Sequence, residues 1–147
     1  MTIYAQNKRA RFDYEIIESL EAGIELKGHE VKAVKKGRIN LSGAFAAPKN
    51  KEIFLLNADI EPYQPKNTPP GYNPNRSRRL LLNKKEIEYL LGKIKSERLT
   101  IVPIKVYNKR GFVKLELVLA KSKKKRDKRE LIKKRETKRE IARTLKK

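Results

Sequence analysis

Hydrophobic and polar positions alternate at period two through most of the first 120 residues. Phe12, Tyr14 and Ile16 alternate with Asp13 and Glu15, and Ile24 and Leu26 with Glu25 and Lys27. Ile39, Leu41, Gly43 and Phe45 keep the same period, and Ile53–Leu56 is a short apolar run. Ile104 and Val106 alternate with Lys105 and Tyr107, and Val113, Leu115, Leu117 and Leu119 bracket Lys114, Glu116 and Val118. Side chains on a strand point to opposite faces in turn, so this pattern predicts half-buried strands. Asn108-Lys109-Arg110-Gly111 supplies turn residues between the last two and predicts a hairpin, and Pro103 predicts an edge or a bulge.

Two stretches switch to helical spacing. After Asn83, the residues Ile87, Leu90, Leu91 and Ile94 form one apolar stripe. Asn83 can cap this helix while Glu86 bonds back to it. A shorter helix is predicted over Gly28–Lys36, with Val31 and Val34 on one face, Lys32, Lys35 and Lys36 elsewhere, and Gly37 as its end. Short strands with about two helices predict a mainly β fold, a small and partly closed antiparallel barrel. Between Pro62 and Arg79 five of the seven prolines interrupt both periods, which predicts a long surface loop.

Charge adds a boundary. The chain has 38 Lys+Arg against 17 Asp+Glu. Residues 121–147 hold 15 of the cations and 4 of the acids, leaving 23 and 13 for residues 1–120. The expected organisation is therefore a folded domain over 1–120 and a basic tail over 121–147. The tail is rich in helix-forming residues, yet Lys133–Glu140 contains no apolar side chain. With no continuous stripe to dock and with like charges repelling, it is expected to be disordered when free and helical once polyphosphate neutralises it.

A net charge of +21 steers the chain toward polyanions. A membrane-surface helix needs a wide apolar face with bulky anchors, and the tail has no Phe, Tyr or Trp, so RNA is favoured over membrane. No run approaches the roughly 20 apolar residues of a membrane span. The N-terminus lacks the pattern of a secretory signal, which makes a cytoplasmic protein the simplest reading. One histidine, no cysteine and no phosphate-binding glycine loop exclude His-paired and Cys nucleophiles and thiol-bound metal, so no enzymatic activity, metal or cofactor is expected.

Two features suggest how RNA could be held. In the proline loop Tyr63 and Tyr72 lie among Asn67, Asn73, Asn75, Arg76, Arg78 and Arg79. Such residues can stack on bases and pair with phosphates, or the tyrosines can pack back on the barrel, and composition does not separate these. Glu30 is a lone acid between cations. Taken alone it reads as an ordinary helix ion pair with a lysine one turn on; a functional carboxylate there would accept from amino groups of base edges.

Six ordered blocks then carry a resemblance: Ala10-Arg11-Phe12-Asp13-Tyr14, Gly28-His29-Glu30-Val31-Lys32, Pro62-Tyr63, Arg78 to Asn83 with Glu86-Ile87, Ala120 to Lys124, and Asp127-Lys128-Arg129. Over essentially its full length the chain resembles the small protein B family, the SsrA-binding proteins of bacterial trans-translation. Phe12 stands where that family commonly has histidine, and Ser122 where it has glycine.

The resemblance implies an oligonucleotide-binding-like barrel that binds the tRNA-like domain of tmRNA and takes it into the A site of stalled ribosomes. It implies partners in tmRNA, the ribosome with its small-subunit rRNA at the decoding centre and mRNA channel, and elongation factor Tu indirectly through charged tmRNA, with the protein a monomer. It implies tmRNA-binding roles for Glu30, Leu81, Asn83 and Lys114, joined by the basic Lys32, Lys121, Lys123 and Lys124. Asp127, Lys128 and Arg129, with Lys133, Lys134, Arg135, Lys138 and Arg139, are implied to act in the tail on the ribosome. A general single-strand-binding or ribosomal protein with a similar barrel is the alternative.

Overall fold

The computed structural model describes residues 2–64, 66 and 68–122. The elements in chain order are β1 (Ile3–Gln6), α1 (Ala10–Asp13), β2 (Tyr14–Ile24), α2 (Gly28–Lys35), β3 (Ile39–Asn40) and β4 (Phe45–Lys49). They continue with β5 (Glu52–Leu56), β6 (Asp59–Ile60), β7 (Arg78–Leu81), α3 (Lys84–Glu97), β8 (Thr100–Lys109) and β9 (Phe112–Ser122).

The main sheet runs in the order β1-β8-β4-β5-β7-β2-β9, and β8 also pairs with β9. That second pairing returns the sheet on itself, so six antiparallel strands form a closed ring with β1 added at β8. Closure removes the exposed edges that a flat sheet would present. The seam is thin at β4–β8, where only Ala46 and Ile101 are in register. Inside lie Ile24, Ala46, Ile53, Leu55, Leu80, Ile101, Val106, Leu115, Leu117 and Leu119, all buried. These are the inward positions of the period-two pattern. The mainly β, antiparallel barrel expected from the sequence is the fold observed.

Local signals placed several elements as expected. β8 and β9 are joined through Arg110 and Gly111, both at positive φ (52° and 84°), the conformation of a two-residue type I′ hairpin turn. The β8–β9 register shifts between Pro103 and Lys105, a bulge at the proline that cannot donate to the ladder. Asn83 accepts from the Glu86 amide at 2.8 Å and Glu86 Oε1 accepts from the Asn83 amide at 3.1 Å, the reciprocal cap that starts α3. Ile87 and Leu90 of its stripe are buried in the core.

Four details differ from the sequence reading. A third helix, the single turn α1, occupies residues whose alternation suggested strand; Ala10 is buried there and Arg9 and Asp13 lie 3.6 Å apart one turn on. The run Ile39–Phe45 is broken into two strands, because Asn40 Oδ1 accepts from the Ser42 amide and Gly43 has φ +75°. The loop ends at Ser77, since Arg78 and Arg79 already pair with Leu55 and Phe54 in the sheet. Finally, β9 runs through Ser122, where Lys121 pairs with Glu15 and Ser122 with Tyr14. Strand structure thus passes the charge boundary at 120 by two residues.

Candidate nucleic-acid interface

The apolar spacing of α2 suggested that Val31 and Val34 face inward. The helix is in fact rotated so that Glu30, Ala33 and Val34 are buried. Gly37, at φ +76°, ends it by donating to the Val34 carbonyl. The rotation sends the Glu30 carboxylate into the protein, where it is 0% exposed.

There it is met by the proline loop and the start of β7. Arg78 contacts Glu30 Oε2 through Nε at 2.8 Å and Nη2 at 2.6 Å. Arg76 Nε donates to Oε2 at 3.1 Å, and Arg76 Nη2 pairs with Oε1. The Lys27 amide completes the Oε1 side at 2.9 Å. Burial by itself would push the Glu30 carboxyl up. The bonds from Arg76, the Lys27 amide and Arg78, with the Arg78 charge, outweigh it and bring the group down to about 2.

Arg78 is fully buried as well. Besides Glu30, its guanidinium donates to the carbonyls of Ala58 (2.9 Å), Arg76 (3.2 Å) and Pro74 (3.0 Å). Tyr72 Oη lies 3.1 Å from Arg78 Nη2, 3.1 Å from Glu30 Oε2 and 2.9 Å from the Ile60 carbonyl. The Tyr72 ring meets His29 edge-on at 4.8 Å. Burial, then the Glu30 charge, raises the Tyr72 phenol. Tyr63 packs against the core, and Arg38 Nη1 holds the Pro62 and Tyr63 carbonyls at 3.1 and 3.3 Å.

The two readings of the proline loop are thereby separated. Tyr63, Tyr72, Arg76 and Arg78 serve the protein's own structure, and Arg79 is bonded to Glu25 at 2.9 Å. The carboxylate of Glu30 has neither a helical lysine partner nor an open side for a base edge. Its acceptors are filled by arginines 46 and 48 residues away.

The other candidate residues lie on the outside. Leu81 and Lys114 come together on the outer face, because both are in register with Gly23 of the strand between them. With no side chain at Gly23, the row Leu81–Gly23–Lys114 forms a trough. Its walls include Leu26, Val31, Phe112 and Val113. Lys32 is exposed on α2 next to Val31, and Asn83 is exposed two residues beyond Leu81. Lys121 is exposed near the end of β9. Lys123, Lys124, Asp127, Lys128, Arg129, Lys133, Lys134, Arg135, Lys138 and Arg139 lie outside the described residues.

Phe112 is the residue that periodicity passed over. It is 69% exposed beside the hairpin turn, on the same face as Lys114. An aromatic at an outward register position was the signal available in the sequence. Among the described residues no group of acids and histidine could hold a metal ion, and no helix is long and apolar enough to cross a membrane.

Comparison with known proteins places this geometry in context. A family model described as SmpB protein matches residues 4–147. An SsrA-binding protein of Thermosipho africanus is 52% identical over 147 residues, covering 99% of this chain and 98% of that one. An SsrA-binding protein of Trichodesmium erythraeum is 48% identical over 144 residues, covering 98% and 92%. A chain from the solved structure described as "tmRNA-SmpB: a journey to the center of the bacterial ribosome" matches with a TM-score of 0.67. It is 45% identical, and the match covers 85% of this chain and 87% of that one.

Proposed function

The chain belongs to the SmpB family, and from that premise we propose that it binds the tRNA-like domain of tmRNA and brings it to the A site of stalled ribosomes. In this reading the barrel recognises the RNA. The basic tail over 121–147, through Asp127, Lys128, Arg129 and the cations after them, works in the decoding centre and the empty mRNA channel, so that the nascent peptide is tagged and the ribosome released. The cytoplasm is the setting this work requires, and no catalytic step belongs to it.

The observation that carries the reading is the near full-length match to proteins named for SsrA binding, at about half identity. Two physical features support it. The net charge of +21 supplies the attraction to a polyanion. The outer face of β7, β2 and β9 offers Leu81 and Lys114, with Asn83 at the start of α3 beside it, and its acids Glu25, Glu21 and Glu116 are bonded to Arg79, Lys109 and Lys105.

Within this reading Glu30 acts as a positioning residue. Its charge orients Arg76 and Arg78, which tie the loop at Pro74 and Arg76 to the start of β7. That strand ends in Leu81 and leads directly into the Asn83 cap. A role for Glu30 in RNA binding is therefore proposed to run through the shape of this surface.

The test is competition. At physiological salt the full chain should retain labelled tmRNA against excess of an unrelated structured RNA. Equal displacement by both RNAs would instead indicate a general, charge-driven binder.

A further inference from the structure

We propose that the trough over Gly23 is a stacking site for one unpaired nucleobase of the bound RNA, with Phe112 as the aromatic platform. This rests on the RNA-binding reading above and specifies the contact.

Four observations point there. Phe112 is the most exposed of the large apolar side chains among the described residues, at 69%, and Leu81 at 46% lies in the same trough. Two exposed apolar side chains on a face that otherwise carries Glu21, Glu25, Arg79 and Glu116 need a partner to cover them. Second, the absence of a side chain at Gly23 is what keeps the trough open. A Cβ there would come within 3.1 Å of Leu81 Cβ, and the backbone of Gly23 is not at positive φ. Glycine here thus serves close approach rather than a turn.

Third, the trough holds about 200 Å³. That is below the roughly 300–1,000 Å³ of small-molecule sites, so it suits one flat ring and not a whole ligand. Fourth, Lys114 lines it, with Arg110 in the adjoining turn and Lys32 next to Val31 in the chain, and the acids of this face, Glu25, Glu21 and Glu116, are bonded to Arg79, Lys109 and Lys105. An apolar slot edged by cations matches a base joined to its phosphates: the ring meets Phe112 and Leu81 while Lys114 reaches the backbone. A peptide side chain would use the slot but not the cations.

The experiment measures binding of the full chain to a transcript of the tRNA-like domain of tmRNA, across a salt series. Phe112→Ala should weaken binding about tenfold or more and Phe112→Tyr by less than about threefold. Phe112→Leu, which keeps apolar bulk without a π face, should lose nearly as much as Phe112→Ala. The salt slope should not change in any of them, because no phosphate contact is removed. Exposure of the side chain leaves the barrel core untouched, and unchanged thermal midpoints would verify this.

Phe112→Ala binding within twofold of the parent, or Phe112→Leu binding like the parent, overturns the stacking site while leaving RNA recognition standing. A parent that does not prefer the transcript over an unrelated structured RNA overturns both.

Discussion

Glu30 and Arg78 stand 48 residues apart in the chain and form an ion pair in which both side chains are fully buried, with Arg78 Nη2 2.6 Å from Glu30 Oε2. The pair joins helix α2 to the first residue of β7, and Arg76 and Tyr72 close around it. A carboxylate that the sequence presents among lysines is thus an internal fastening. The arrangement is demanding in one direction: removing Glu30 leaves the buried Arg78 charge without a counter-ion, and removing Arg78 leaves the buried Glu30 carboxylate with Arg76 as its remaining cation.

Glu30→Gln should therefore cost about 3–5 kcal/mol of folding stability, measured by urea denaturation. An exposed carboxylate would cost less than about 0.5 kcal/mol. Arg78→Met should show a loss of the same order. The double variant should be less destabilised than the sum of the two, because each single variant already loses the shared Glu30–Arg78 bond.

The same pair predicts a pH dependence. The Glu30 carboxyl lies at about 2 in the folded protein against an ordinary 4.5. The unfolded chain then binds more protons between these values, so stability rises with pH there. Its contribution is complete above about pH 4.5 and is lost as pH falls toward 2. Urea midpoints at pH 6, 4 and 3 should fall progressively for the parent. In Glu30→Gln that part of the slope should vanish.

Asn83 has two uses that substitution can divide. Its oxygen caps α3, so Asn83→Ala should cost about 1 kcal/mol of stability. Asn83→Ser retains a capping oxygen but lacks the amide that the proposed RNA contact would use. It should keep the thermal midpoint near that of the parent while weakening tmRNA binding. Unchanged affinity in the serine variant would leave Asn83 a cap alone.

Lys114 should behave as a phosphate contact. Lys114→Ala is expected to weaken binding to all RNAs alike and to reduce the salt slope by about one. A loss confined to tmRNA with the slope intact would instead make it a base contact.

Truncation can be placed by the strand rather than by the charge boundary. Lys121 and Ser122 pair with Glu15 and Tyr14, so a cut after Ser122 keeps β9 whole. That variant should lose less than about 2 kcal/mol of affinity for the tRNA-like domain. In a stalled-ribosome assay its tagging should be nearly abolished. A larger affinity loss would place RNA recognition in the tail.

Local chemistry was legible in the chain itself. The α3 cap joins Asn83 to a residue three positions on, the β8–β9 turn needs only Arg110 and Gly111, and strand alternation reports which side of each ladder is apolar. All depend on neighbours within a few residues, where spacing fixes geometry. The charge division near residue 120 and the family blocks are likewise properties of order along the chain.

What lay beyond the sequence was the destination of side chains whose partners arrive from far away. Val31 and Glu30 are adjacent, and apolar spacing favoured Val31 for the interior. The choice of Glu30 was made by Arg76 and Arg78, which the proline loop and β7 bring to α2 from 46 and 48 residues away. Arg76 and Arg78, two of the arginines that composition offered to phosphate, are held by that bond, and Arg79 by Glu25. The row Leu81–Gly23–Lys114 exists only because β7 and β9 flank β2, and with it Phe112 becomes part of a surface. Sequence determines which groups can pair over short distances, where the chain is stiff. Over long ones, closure of the barrel decides which charges are buried together and which face outward.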